Sequence, residues 1–278
     1  MKKYLAGVVC FLSVSMSITM SAQTDTTVFE GNPYVRMNMS ELVSTFQTLQ
    51  SRIDALGFVC GSSYSYDGHD YATVLIGGQC WFAENLRSEN YADGSVIPAG
   101  LDDTAWSTTT AGAVTVYGDG TSNVNNNNSN NDEVANLANY GRLYNWYAVD
   151  DASGLCPSGW HVPTDSEYMT LEMELGMSST DADILAQWRG TNEGEKLKSS
   201  SGDAPPWSGT NTSGFSGLPG GNRVQPGDFM WGGNNGYFWT ASPRGTNAWY
   251  RKFEGGRDNI YRNYTVKGAG LTVRCVWD

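Results

Sequence analysis

Two cysteines far apart in the chain each sit beside an element of secondary structure, and a bond between them would constrain everything in between. Cys156 opens the run Cys156-Pro-Ser-Gly-Trp-His-Val-Pro-Thr-Asp-Ser-Glu-Tyr168, and Cys275 lies in the closing run Leu271-Thr-Val-Arg-Cys-Val-Trp-Asp278. The first run reads as a turn that delivers a helix. Pro157 and Gly159 punctuate it and Val162-Pro163 is extended. Thr164 or Asp165 can cap that helix, because a short side-chain oxygen accepts from the free N–H groups of a first helical turn. The helix is predicted from Ser166 to Leu175, with Tyr168, Leu171, Met173 and Leu175 on a partly apolar face. The closing run reads as a short strand, Leu271 and Val273 alternating with Thr272 and Arg274. A Cys156–Cys275 bridge would tie this helix to the last strand.

The N-terminus says where such a bridge could form. Met1-Lys2-Lys3 precedes an apolar stretch from Tyr4 to Val14, and small residues continue as far as Ala22. A basic start, an apolar core too short to span a bilayer and a small residue before the cut make 1–22 a signal peptide, cleaved after Ala22. Cys10 comes after Val9 inside the apolar core, which does not fit a lipoprotein cut. No later segment is apolar enough for a transmembrane helix. The expected location is secreted, extracellular or cell-surface, without membrane insertion.

Residues 23–278 then hold four cysteines, Cys60, Cys80, Cys156 and Cys275. An even number in an exported chain reads as two disulfides, with three possible pairings. Tyr64 to Ile76 reads as two short strands around a turn at Asp67-Gly68, and a hairpin returns its ends to bridging distance. That favours Cys60–Cys80, and with it Cys156–Cys275. Loss of Lys2 and Lys3 leaves 15 basic residues against 29 acidic ones, a net charge of −14. So acidic a chain excludes the clustered cations that nucleic acid or an anionic membrane needs. Ten Trp, fifteen Tyr and 33 Gly point to many short strands and turns.

Residues 23–57 read as a polar linker and a heptad helix. Val35, Met39, Leu42, Phe46, Leu49, Ile53 and Leu56 alternate in steps of four and three, the seam of a short coiled coil, and Gly57 stops it. Self-association into a homo-oligomer through 35–56 would bury the seam; packing on the next domain is the alternative. From Phe58 to Asp278 the chain reads as one unit. Its 121–132 segment, nearly all Asn, Ser, Asp and Thr, is predicted to be a surface loop.

Ordered motifs run through this unit. They are Val74-Leu-Ile-Gly-Gly-Gln-Cys-Trp-Phe-Ala-Glu-Asn-Leu-Arg87, Tyr140-Gly-Arg-Leu-Tyr-Asn-Trp-Tyr-Ala-Val149, the Cys156 run, Ser213-Gly-Phe-Ser-Gly-Leu-Pro-Gly-Gly-Asn-Arg223, Gly236-Tyr-Phe-Trp-Thr-Ala-Ser-Pro243, Ala248-Trp-Tyr-Arg251 and Val273-Arg-Cys-Val276. This arrangement resembles the Fibrobacter succinogenes major paralogous domain, a module of secreted and surface proteins. More distantly it is similar to the C-type-lectin fold and its formylglycine-generating relatives. The resemblance implies an α+β domain, C-type-lectin-like, with short strands, few helices and long loops.

Catalysis finds little support in the residues. His161 sits between Trp160 and Val162 and reads as structural, and His69 falls at the hairpin turn. No nucleophile elbow, His-Glu-x-x-His or phosphate loop is present. The redox cysteine pair of the formylglycine-generating enzymes has no counterpart here. Binding has more material. Trp231, Tyr237, Phe238, Trp239, Trp249, Tyr250, Tyr261 and Tyr264 lie among Gly, Asn, Asp and Arg, and flat rings beside hydrogen-bonding side chains suit sugars. Trp239 and Trp249 read as core. Trp231, Asn234, Asn235, Tyr261 and Arg262 are the candidate ligand residues, with Trp231, Tyr261 and Arg262 expected on the surface. Calcium is the cofactor to consider, held by oxygens of Asp228, Glu254, Asp258 and Asn259. Here the lectin-type pattern departs: Gln225-Pro-Gly-Asp228 has an extra Gly, and Asp258-Asn259 reverses the expected order. The expected function is a non-enzymatic binding or adhesion module for a carbohydrate or cell-surface ligand. A structural spacer and a polysaccharide-acting enzyme are the alternatives.

Overall fold

A computed structural model of the 278-residue chain describes residues 43–44, 58–120, 124–125 and 132–278. The chain divides into two units, Met1–Gly57 and Phe58–Asp278. In the first, Val43 and Ser44 are helical and exposed. The signal segment and the heptad positions from Val35 to Leu56 lie outside the described residues.

In the second unit the strands are β1 (Tyr64–Tyr66), β2 (His69–Tyr71), β3 (Thr73–Ile76), β4 (Gln79–Phe82), β5 (Val114–Thr115), β6 (Val124–Asn125), β7 (Leu143–Tyr144), β8 (Trp160–His161), β9 (Gln187–Arg189), β10 (Asn222–Arg223), β11 (Phe229–Met230), β12 (Asn235–Arg244), β13 (Asn247–Glu254), β14 (Ile260–Val266) and β15 (Val276–Trp277). The helices are α1 (Asp103–Thr108), α2 (Glu133–Tyr140), α3 (Trp146–Val149), α4 (Asp165–Glu174), α5 (Ser179–Ala182) and α6 (Glu193–Leu197). Short strands and few helices make this a mixed α+β fold.

Local chemistry sets the first elements. Asp67 and Gly68 both take positive φ, 46° and 76°, the backbone of a two-residue turn whose twist matches its strands. Tyr66 accordingly stands opposite His69. A second hairpin pairs β3 with β4, β15 joins the free edge of β4, and β8 completes the order β3-β4-β15-β8. Cys60–Cys80 and Cys156–Cys275 are both bonded, with Cα atoms 5.8 and 5.9 Å apart, the pairing that the hairpin and the cysteine count favour. The second bond lies beside the junction of β8 and β15.

The α4 helix starts one residue earlier than expected. Thr164 is its cap, accepting from the Glu167 N–H while the Glu167 carboxylate accepts from the Thr164 N–H, a reciprocal capping box. The closing strand also departs from expectation. The ladder proper is Val276–Trp277, whereas Gly270, Leu271 and Thr272 make single bridges to Arg223, Tyr144 and Phe238. Thr272 and Arg274, expected to alternate outward, are fully buried because protein covers both sides of this segment. Within 121–132, Val124–Asn125 pairs in parallel with Phe229–Met230 instead of looping free.

Two large apolar clusters flank the sheets. Phe82, Trp146, Trp160, Tyr237 and Trp239 belong to one, and Trp81, Tyr168, Phe215, Phe238 and Phe253 to the other. Neighbouring residues on β4 and β12 thus feed opposite cores. A strand buried on both faces reads as an unbroken apolar run, as Cys80-Trp-Phe82 and Tyr237-Phe-Trp239 do.

Candidate ligand-binding cleft

The sheet ordered β12-β13-β14-β9 carries an ion cluster on one face and a row of rings around Lys252 on the other. On the α4 face, three guanidiniums converge on two carboxylates. Arg251 reaches Asp165 at 2.6 Å and Glu172 at 2.7 Å, Arg189 reaches Glu172 at 2.7 Å, and Arg262 reaches Asp165 at 2.6 Å. All five residues are buried. Charges removed from water need such partners, and leaving one unpaired would cost several kcal/mol. Burial opposes ionisation of Asp165, but hydrogen bonds and charge from Arg262 and Arg251 hold its carboxyl below the usual range. These bonds fasten β9, β13 and β14 to α4.

The opposite face is set by the alternation of side chains along each strand. Tyr237 on β12 is in register with Lys252 on β13, Lys252 with Tyr261 on β14, and Tyr261 with Trp188 on β9. Two residues along, Tyr250 stands opposite Asn263. These six line a shallow cleft of about 320 Å³. Trp188 and Tyr261 touch with centroids 5.3 Å apart, as do Tyr237 and Tyr250 at 5.9 Å. Lys252 Nζ lies 5.1 Å from the Trp188 ring centre and 5.9 Å from that of Tyr237. Lys252 donates to Glu254 Oε2 at 2.6 Å, and Asn263 Nδ2 donates to the Tyr261 hydroxyl at 3.4 Å. Burial pushes the Tyr237 phenol up to about 12, so it stays a neutral donor and acceptor. Partial burial opposes ionisation of Glu254, yet Lys252 and Arg257 hold its carboxyl below the ordinary range.

The expected ligand residues fall in different places. Tyr261 lines the cleft. Asn235 is buried and donates to the Tyr237 hydroxyl at 3.0 Å, bracing a cleft ring from behind. Asn234 is exposed and donates to Asn235 Oδ1. Trp231 is 47% exposed after β11, with a positive φ of 64°, and is not in the cleft wall. Arg262 corrects the surface expectation. It is 6% exposed, and as the neighbour of Tyr261 in a strand it points to the α4 face, into the ion cluster. Trp249, read as core, is half-buried beside Arg244 and Arg262.

The calcium candidates are dispersed. Asp228 precedes β11, Glu254 ends β13, and Asp258 and Asn259 lie in the turn after it. The Glu254 carboxylate serves Lys252 and Arg257, and the Asp258 carbonyl accepts from the Glu195 N–H. Among the described residues, no group of three or more His, Cys, Asp or Glu could hold a metal ion.

Trp188, Lys252 and Asn263 are absent from the residues that the sequence puts forward, and Tyr237 and Tyr250 stand there only within a broad aromatic group. The alternation Tyr250-x-Lys252 and Tyr261-x-Asn263 is the available signal for four of the cleft positions. Trp188 needs the pairing of β14 with β9, which nothing local specifies. A second hollow of about 380 Å³ lies beside Cys60–Cys80, lined by Phe58, Leu75, Trp277, Glu167 and Asp278 among others. Its two carboxylates are engaged by His161, and the Trp277 ring packs on Phe58 and Trp160. The cleft is the better candidate because three of its rings, those of Trp188, Tyr250 and Tyr261, are partly exposed beside Lys252 and Asn263.

Disulfide bonds, a mixed α+β fold and an aromatic cleft describe a cross-linked module of the kind that persists in an oxidising compartment. The chain belongs to the Fibrobacter succinogenes major domain family, whose model matches residues 74–277. No curated protein and no solved structure matches it. Among the described residues, no helix is long and apolar enough to cross a membrane.

Proposed function

We propose that the protein is an exported, non-enzymatic binding module whose cleft recognises carbohydrate. The observation that carries this reading is the cross-strand row Tyr237, Lys252, Tyr261 and Trp188, with Tyr250 and Asn263 beside it. A sugar ring presents an apolar C–H face and a rim of hydroxyls. Tyrosine and tryptophan faces cover the first, and the Lys252 ammonium, the Asn263 amide and the phenol groups serve the second. Ion pairs beneath the sheet keep these side chains on fixed strands, which lowers the ordering cost of binding. The lectin-type resemblance of the motifs points the same way.

A shallow site for one ring binds weakly, and self-association through the heptads of 35–56 would raise avidity about 10²–10⁴-fold without new contacts. Adhesion to a glycan-bearing surface is the use that fits such an assembly. A glycan array probed with the full mature chain, with calcium and with a chelator, tests the reading. Binding that disappears in Tyr261→Ala supports it. A chain that binds no glycan under either condition leaves the rigid-spacer alternative.

A further inference from the structure

The charges around the cleft indicate which sugar it selects, an inference that rests on the carbohydrate reading just proposed. Residues 58–278 hold thirteen Lys and Arg against twenty-five Asp and Glu. Six of the thirteen, Arg189, Lys198, Arg223, Arg251, Arg262 and Arg274, are buried inside the fold. Cations facing solvent are therefore scarce, yet two converge on one ring. Lys252 Nζ lies 5.1 Å from the Trp188 ring centre, and the Arg257 guanidinium carbon lies 4.7 Å from it.

Among the six residues that line the cleft, Lys252 is the one basic side chain, its companions being aromatic or amide side chains. An ammonium has three donors, and one goes to Glu254 Oε2. Glu254 also pairs with Arg257 at 3.3 Å. Two cations thus share one carboxylate, and Lys252 keeps two ammonium donors for a ligand. The Lys252 side chain is only 19% exposed, between the rings of Trp188 and Tyr237. There its attraction for an anion is screened less than on open surface.

We infer that the cleft selects an anionic sugar, a ring bearing a carboxylate or sulfate group, with Lys252 as the specificity-determining residue. The ring lies against Tyr261, and its acid group takes the remaining Lys252 donors. At about 320 Å³ the cleft is at the small end of ligand sites, which suits one or two rings of a chain that continues into solvent. The surrounding acidic surface repels a polyanion elsewhere, which confines binding to this spot.

Titration calorimetry on the full mature chain tests the assignment with four probes: a galacturonic-acid oligomer, its methyl ester, a sulfated galactan oligomer and a neutral galactan oligomer. The expected result is at least tenfold tighter binding of one acidic probe than of its neutral counterpart. The uronide and sulfated arms identify which acid group is read. Lys252→Gln should erase the preference, Lys252→Arg should keep it, and Tyr261→Ala should weaken every probe. If Lys252→Gln fails to fold, the galacturonide against its methyl ester on the unmutated chain decides. Equal binding of acidic and neutral probes, or a preference that survives in Lys252→Gln, overturns the charge assignment while binding lost in Tyr261→Ala keeps the carbohydrate reading. Binding of none of the four overturns both.

Discussion

The Arg274 guanidinium donates to the Asn85 side-chain oxygen at 2.7 Å, joining positions 189 residues apart. Its other N–H groups reach the carbonyls of Phe82 at 2.9 Å, Phe215 at 2.6 Å and Ser216 at 2.7 Å. The ring of Phe215 lies 4.5 Å from the guanidinium carbon. A fully buried cation thus fastens the β4 end, the 215–216 turn and the closing segment into one body. Burial without a carboxylate partner pushes its pKa down from the usual arginine value.

Arg274→Met keeps the length of this side chain and removes its donors. Three carbonyls and an amide oxygen would then be buried without partners, each costing about 1–3 kcal/mol when left unsatisfied. We expect urea unfolding to show a loss of at least about 3 kcal/mol. A loss below about 1 kcal/mol would mean that the four acceptors are satisfied in another way.

The two disulfides should differ in worth. Cys156–Cys275 spans 119 residues and Cys60–Cys80 spans 20. In the chain-entropy picture the long loop stabilises by about 5 kcal/mol and the short one by about 3 kcal/mol, both upper figures. Paired Cys→Ala variants compared in denaturant should therefore rank the long bridge first. The reverse order would place the stabilisation in the folded state and not in loop closure.

His161 makes stability depend on pH through two carboxylates. Its ring bonds Glu167 at 2.8 Å and Asp278 at 2.5 Å. The Glu167 bond does most to raise its pKa, partial burial opposes, and Asp278 adds to the rise, so it is pushed up to about 9. Because the folded value exceeds the ordinary 6.5, this stabilisation is full below about pH 6.5 and is lost as pH rises through about 9. Glu167 works in the other sense. Burial opposes its ionisation, but His161 and Thr164 hold it at about 2, so its share is lost only as pH falls below its ordinary 4.5 toward 2. The His161 side chain is 37% exposed, and solvent screening limits the pair to about 1 kcal/mol or less. The unfolding temperature should drop by roughly 2–4 °C between pH 6.5 and 9.5. His161→Gln should flatten that limb, and an unchanged limb would assign the drop to other groups.

The features legible in the sequence are local. The Asp67-Gly68 turn, the Thr164 cap and both disulfides can be read because each depends on a few adjacent residues or on compartment. The two-sided burial of Tyr237-Phe-Trp239 is visible as an unbroken apolar run. The errors come from register. Tyr261 and Arg262 are neighbours, yet alternation sends one into the cleft and the other into the ion cluster with Asp165, so naming both as surface ligands cannot hold. Lys252 escapes notice because a lysine in a strand reads as a solvent-facing charge until its cross-strand partners are known. Trp188 joins the site only through β9 pairing with β14.

The central claim is that the ringed face of β12-β13-β14-β9 binds sugar, and its most direct test is affinity for glycans measured before and after single ring deletions. An aromatic anchor at the centre of a site typically carries about 1–2 kcal/mol or more, a tenfold or larger change in affinity. Tyr261→Ala and Trp188→Ala should each weaken the best array ligand at least tenfold in calorimetry, with unfolding curves still cooperative. Trp231→Ala, outside the cleft wall, should leave that affinity within twofold. Retained affinity in both cleft variants, or a loss confined to Trp231→Ala, would contradict the account.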